Sequence, residues 1–183
     1  TSQWLMVILL LVGLLFSFGT LTDQPGFCQN HWVPYAGHCY YIERSKKIWK
    51  EASTACHKEG AFLASIHNIE EHSFVISQLG YGRLSSHYLR PSDELWIGLN
   101  DLKMQMLFEW TDGSHVTFTK WQTGEPSHAS EECVEIFSSS GKWNNMNCNS
   151  YRGYICKTAK SKWEISDRLS NTNGRCQQKG QTP

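Results

Sequence analysis

The chain has 183 residues, enough for one domain plus whatever its ends contribute. Its 17 Lys and Arg balance 17 Asp and Glu, so the formal net charge is zero. That balance argues against a general electrostatic partner such as nucleic acid or an anionic membrane surface. Eight tryptophans are many for this length, but indole rings serve cores and recognition surfaces alike, so the count alone decides nothing.

The hydrophobic fraction of 40% is raised by the N-terminus, where Trp4 to Gly19 carry no charge. This run is long for the apolar region of a signal peptide and short of the roughly 18–20 residues that span a bilayer. Ser17 and Gly19 are small residues where a signal peptidase favours them. Residues 1 to 19 are therefore expected to be a signal peptide cleaved after Gly19, or else a truncated membrane anchor. Thr1 in place of Met, with no Lys or Arg before the run, suggests N-terminal truncation. Residues 20 to 27 read as a polar linker.

Trp32 to Ile42 predicts a short hairpin around Ala36-Gly37. Ile48, Ala52, Ala55 and Cys56 share one helical face, so a helix is expected over Ser45 to Lys58, ending at Gly60. A second helix is predicted from Asn68 as N-cap, with Glu71 three residues on in a variant of the capping box. Its apolar face comprises Ile69, Val75, Ile76 and Leu79, and Gly80 stops it. Gly82 to Asp93 is polar and turn-rich, an expected exposed loop. Leu95 to Leu99 and Phe108 to Trp110 read as strands, followed by a turn at Thr111 to Ser114 and a further strand through Val116 and Phe118. Gln122 to Ser130 is a loop without apolar pattern. Cys133 to Phe137 is a strand, Ser138 to Gly141 a turn, and Trp143 to Cys148 with Tyr154 to Lys157 close the domain. Two helices followed by short strands predict an α+β domain over residues 28 to 157. Residues 158 to 183 form a polar, basic tail without periodic apolar positions, expected to be disordered.

Seven cysteines are present, and six of them (Cys28, Cys39, Cys56, Cys133, Cys148 and Cys156) punctuate the domain. An even set behind an apolar leader points to an oxidised extracellular domain, although six cysteines allow fifteen pairings. A zinc cluster is the rival reading, and no CxxC pair exists to support it. Cys176 is left over in the tail, as a free thiol or the donor of an intermolecular disulfide. The histidines show no HExxH spacing and no nearby triad partner, and no Ser sits in GxSxG, so an enzyme finds no motif. No N-glycosylation acceptor occurs. Lys46, Lys47 and Lys50 make a small basic patch read as a solvated helix face.

The cysteine order, interleaved with Trp96-Ile97-Gly98-Leu99, Glu125-Pro126-Ser127 and Trp143-Asn144-Asn145, resembles the long form of the C-type lectin-like domain. Phrases such as WVPYAGHCY, ELWIGLND, FEWTDG, VTFTKW and GEPSH resemble one internal domain of the mannose receptor family. The resemblance implies two helices packed on short antiparallel sheets, a long ligand-binding loop, and the disulfides Cys28 with Cys39, Cys56 with Cys156, and Cys133 with Cys148. The middle pair would close a loop of about a hundred residues, for which chain entropy gives ~4–5 kcal/mol. It also implies a core role for the Trp96 to Leu99 strand, with Gly98 admitting a second segment.

In sugar-binding members the calcium ligands come from Glu-Pro-Asn or Gln-Pro-Asp, a Glu before the next cysteine, and Trp-Asn-Asp, and the proline is typically cis. Carried over, Glu125, Pro126, Glu131 and Asn144 match. Ser127 stands where Asn or Asp is expected, and Asn145 where Asp is expected. Ser127 offers a short neutral hydroxyl and no amide N–H, while Asn145 keeps an oxygen but loses a charge. Two carboxylates remain instead of three, which lowers affinity for a hard dication. A second calcium position would draw on Asp101, Glu131 and Glu132, but Gln105 and His128 replace carboxylates there, so it is expected to be empty. Trp121 and Trp143 flank the loop, and burial beneath it is expected over stacking on a ligand.

The resemblance therefore implies a non-catalytic recognition module, secreted or on the extracellular face of the plasma membrane, touching membrane only through its N-terminal run. Two readings stay open. One is a module that binds protein or glycoprotein with weak or no calcium dependence. The other is a calcium-dependent, mannose-type lectin using Glu125, Glu131, Asn144 and Asn145. Receptors of the family string many such domains together, so their endocytic role is not carried over.

Overall fold

The strand Arg152–Ala159 (β8) organises the elements around it, because three other strands pair with it along its length. The computed structural model describes residues 26–80, 94–127 and 130–161. The expected leader, the 82–93 loop, His128, and residues 162–183 with Cys176 lie outside them. Among the described residues no helix is long and apolar enough to cross a membrane.

β1 (Val33–Tyr35) and β2 (His38–Lys47) form the expected hairpin, with Ala36 and Gly37 at positive φ in its turn. β2 lies antiparallel along β8, and β3 (Phe62–Leu63) pairs with Lys157 and Cys156. β4 (Glu94–Asn100) runs parallel to β8 through Leu95 and Trp96. β5 (Glu109–Trp110), β6 (Cys133–Phe137) and β7 (Trp143–Met146) complete the eight-stranded sheet, in the order β1-β2-β8-β4-β6-β7. All pairs but β4/β8 are antiparallel, so the sheet is mixed rather than purely antiparallel. β8 continues to Ala159, and Ser161 bridges to Phe27, so this edge extends past the expected boundary at Lys157.

Helix α1 (Trp49–Lys58) starts later than its periodicity predicts. Residues up to Lys47 stay in β2, because the Glu43 carboxylate accepts the Ser45 N–H and the Trp96 indole donates to the Lys47 carbonyl. Those groups are then committed to an extended chain, and the helix begins where the Trp49 N–H reaches the Cys148 carbonyl. Helix α2 (Ile69–Gly80) is capped as predicted, the Glu71 N–H donating to Asn68 Oδ1 at 2.8 Å. Its inward row differs from prediction. Ile69 is 46% exposed, and His72 takes the buried position that continues through Val75 and Leu79. Val116 and Phe118 pack against the core but lie outside the ladders, so their alternation marks burial rather than pairing.

The close approach expected at Gly98 is real. A Cβ there would sit 2.5 Å from the Leu63 carbonyl oxygen and 2.7 Å from Thr111 Oγ1. The three disulfides join Cys28 to Cys39, Cys56 to Cys156 and Cys133 to Cys148. Beside Cys156, Lys157 is buried with its ammonium on the Glu71 carboxylate at 2.5 Å and on the Ser65 carbonyl at 3.1 Å. Tyr40 donates its hydroxyl to the same carboxylate. Burial raises the Glu71 pKa, but the bonds from Lys157, Tyr40 and the His67 N–H outweigh it and hold the group below the usual carboxylate value.

Replacing Lys157 with Met leaves Glu71 buried and uncompensated, and is expected to cost about 3–5 kcal/mol in urea unfolding at neutral pH. Because the Glu71 pKa is depressed in the fold, its stabilisation is complete above the ordinary Glu value of 4.5 and fades as pH falls through the lower folded value. Lys157→Met is expected to flatten that acid-side decline.

Candidate functional site

The loop over residues 122–131 is fixed at its base by β7. The Gln122 N–H donates to the Trp143 carbonyl, and the Trp143 N–H to the Lys120 carbonyl, both at 2.8 Å. Trp143 is fully buried and cannot stack on a ligand, as expected, and half-buried Trp121 packs against it edge-on with ring centroids 6.1 Å apart. Burial, rather than the Gly141 carbonyl it bonds at 2.7 Å, dominates His72, whose pKa lies below the usual histidine value, so this buried ring beside Trp143 stays neutral.

The Glu125–Pro126 peptide is cis. Past it, Asn145 and Ser127 hold the loop residues to one another. Asn145, 1% exposed, accepts the Ser127 N–H on Oδ1 at 2.9 Å. Its amide nitrogen donates to the carbonyls of Ser127 and Glu131, each at 2.9 Å. Ser127 also donates its hydroxyl to Glu131 Oε2 at 2.6 Å and shares its N–H with Glu125 Oε2 at 2.8 Å. Four of the five expected site residues, Glu125, Ser127, Glu131 and Asn145, are thus brought together, with their polar groups turned toward one another.

Asn144 alternates to the other face of β7 and donates to Glu135 Oε1 at 3.0 Å. Glu135, 1% exposed, also accepts from Arg152 Nε at 2.6 Å. Sequence reasoning missed this pair. The signal was a charged residue at an inward position of the apolar strand CVEIF, since a buried carboxylate requires a partner.

Calcium needs six to eight oxygens. Here Ser127 and Asn145 use theirs within the loop, and Glu125 and Glu131 each commit one carboxylate oxygen to Ser127. Among the described residues no three His, Cys, Asp or Glu side chains converge to hold a metal. In this arrangement the side-chain oxygens of Glu125, Ser127, Glu131 and Asn145 are engaged with one another and with the loop backbone. At the second expected position, Asp101 accepts the Met106 N–H on Oδ2 at 2.6 Å, while its Oδ1 is buried without a hydrogen-bond partner.

One constellation invisible in the sequence gathers Ser65, His67, Asp112 and Ser114. Ser65 Oγ lies 3.0 Å from His67 Nε2 and donates to Asp112 Oδ2 at 2.5 Å. Its residue types match a nucleophile, a base and an acid, but the Ser65 proton goes to Asp112, and Ser65 is 0% exposed. A nucleophile sealed from solvent has no substrate, so the cluster is a structural brace.

Two helices, a mixed sheet and three disulfides around a loop fastened to β7 define a non-catalytic recognition module of the lectin type. The Lectin C-type domain family matches residues 45–158, and the chain belongs to that family. It is 42% identical over 135 residues to human C-type mannose receptor 2, covering 72% of this chain and 8% of that protein. It is 36% identical over 135 residues to the human secretory phospholipase A2 receptor, covering 72% and 9%. The chain thus spans less than a tenth of either receptor. Among solved structures it is similar to the cow C-type carbohydrate-recognition domain of CD23, crystallised with a GlcNAc2Man3 oligosaccharide. That match has 32% identity and a TM-score of 0.65, covering 74% of this chain and 98% of that one. Three disulfides accord with the extracellular setting typical of such domains.

Asn145→Ala removes one acceptor and two donated bonds at a buried position. It is expected to destabilise the domain by about 2–3 kcal/mol and to raise the exchange rate of the Ser127 amide by at least tenfold, read by hydrogen exchange.

Proposed function

We propose that this domain is an extracellular recognition module, secreted or displayed at the cell surface, that binds protein or glycoprotein ligands without requiring calcium. The observation that carries the reading is the Asn145 carboxamide, which donates to the Ser127 and Glu131 carbonyls while accepting the Ser127 N–H. An aspartate at 145 could not make those donations. The asparagine ties both ends of the loop to β7 through bonds that need no ion. Kinship with the CD23 domain and the mannose receptor supports a glycoprotein as the ligand class. The activities of the long receptors are a further step, because this chain matches so small a part of them.

The calcium-dependent, mannose-type alternative through Glu125, Glu131, Asn144 and Asn145 is favoured by one feature, the unpaired buried oxygen of Asp101. Thermal unfolding with calcium and with chelator separates the readings. The wild-type midpoint is expected to stay unchanged, and the domain to pass through a mannose column in either buffer. Ser127→Asn combined with Asn145→Asp supplies a longer amide ligand and a third carboxylate, and is expected to create a calcium-dependent rise in the midpoint. A wild-type midpoint that falls by several degrees with chelator, with calcium-dependent retention on mannose, would establish the alternative instead.

A further inference from the structure

A cleft of about 390 Å³ opens between the N-terminal segment, the end of α1, β2 and β8, and shares no lining residue with the 122–131 loop. Its lining includes the rings of Trp32, Tyr41 and Tyr154 and the side chains of Glu43, Glu59 and Lys58. Trp32 and Tyr41 lie 5.5 Å apart with their planes at 30°. The wall that holds Trp32 is built locally. The Cys28–Cys39 disulfide closes the segment, the Trp32 N–H donates to the Gln29 carbonyl, and His31 takes a φ of 73° at the bend. None of these features is needed by the loop beside β7.

The electrostatics of the cleft favour a cation. Glu43 accepts the Tyr41 hydroxyl at 2.9 Å and the Ser45 N–H at 2.8 Å, bonds that overcome its burial and hold its pKa below the usual value. It is therefore a fixed negative charge at neutral pH. The bond to Glu43, then burial, then the charges of Glu43 and Glu59 raise the Tyr41 pKa. Burial first, then the same two carboxylates, raise that of Tyr154. Both phenols thus feel the two acids, and the described lining carries two carboxylates against one lysine. Lys58 is exposed, and the cations found over rings among the described residues are Arg152 over Trp96 and Lys157 over Tyr40. Flat aromatic faces together with carboxylate oxygens match a guanidinium, which is planar, stacks on rings and donates in a fork.

We propose that this cleft is a second binding site, which takes an arginine side chain presented by a polypeptide partner. The guanidinium lies against the open side of the Trp32–Tyr41 ring pair and donates to Glu43, and Glu59 adds charge at the rim. Lys58 competes for the same carboxylates and tempers the affinity.

The probe is N-acetylarginine amide, titrated into the full chain by NMR, with the N-acetylcitrulline and N-acetyllysine amides beside it. Saturable shifts of the Trp32 indole and Tyr41 ring signals are expected with the arginine compound. The neutral citrulline isostere is expected to bind at least tenfold more weakly, and the lysine compound more weakly than arginine. Glu43→Gln can keep the Ser45 N–H bond on its one carbonyl oxygen and turn its amide N–H toward the Tyr41 hydroxyl oxygen, yet is expected to weaken arginine binding about tenfold. Lys58→Gln, an exposed change that leaves the fold intact, is expected to tighten it about threefold. Binding of citrulline equal to arginine overturns the proposal. So does lysine matching arginine, or arginine-induced shifts that ignore both substitutions.

Discussion

Two adjacent residues of one strand hold both helices to the sheet. Successive side chains of a strand point to opposite faces, and β8 uses that alternation twice in succession. Cys156 faces the cluster around Trp49, Ala52, Leu63 and Trp96, and is bonded there to Cys56 of α1. Lys157 reaches Glu71 of α2, beside Tyr40 of the other cluster. One attachment is covalent and closes a separation of 100 residues, a loop length for which chain entropy gives roughly 4–5 kcal/mol. The other is a buried ion pair, whose worth lies in how much its loss would cost rather than in net stability. With β2 on one edge and β3 and β4 on the other, β8 cannot shift by one residue without exchanging the two attachments.

The site hangs from this frame through β4, β6 and β7. Asn145 does what an acidic residue at the same place could not. A carboxylate only accepts, whereas a carboxamide accepts and donates, and the backbone around position 145 presents two carbonyls and one N–H. Asn145 satisfies all three and becomes a strut between β7 and the loop. Ser127 follows the same logic. Its hydroxyl is too short to serve as a distant ligand but long enough to reach Glu131 within the loop. Ser127 and Asn145 are, together, complementary parts of one closed arrangement.

Much of the architecture was legible from short-range signals. The Ala36-Gly37 turn and the Asn68 cap are dictated by local backbone chemistry, and both appear where the residues predicted them. The resemblance carried the disulfide pairing, which spacing alone left open. What failed to show was set by tertiary partners. The start of α1 depends on carbonyls claimed by Trp96 and Trp49, the inward place of His72 on the Gly141 carbonyl, and the irregular path of Val116 and Phe118 on burial without pairing. For the loop, the residues could be named from the sequence, but the bonds they make to one another could not. A hydrogen-bonded pair such as Asn145 and Ser127, eighteen positions apart, leaves no periodic trace, and neither do the Glu135–Arg152 pair or the cleft that holds Trp32.

The central claim is that this loop is closed by its own amide rather than by an ion. The most direct test is the hydrogen-exchange protection of the backbone amides of Ser127 and Gln122 in the wild-type chain, measured once with saturating calcium and once after exhaustive chelation. Equal protection in the two conditions is the predicted result. Protection of Ser127 that appears only with calcium, while Gln122 stays protected in both, would contradict the account.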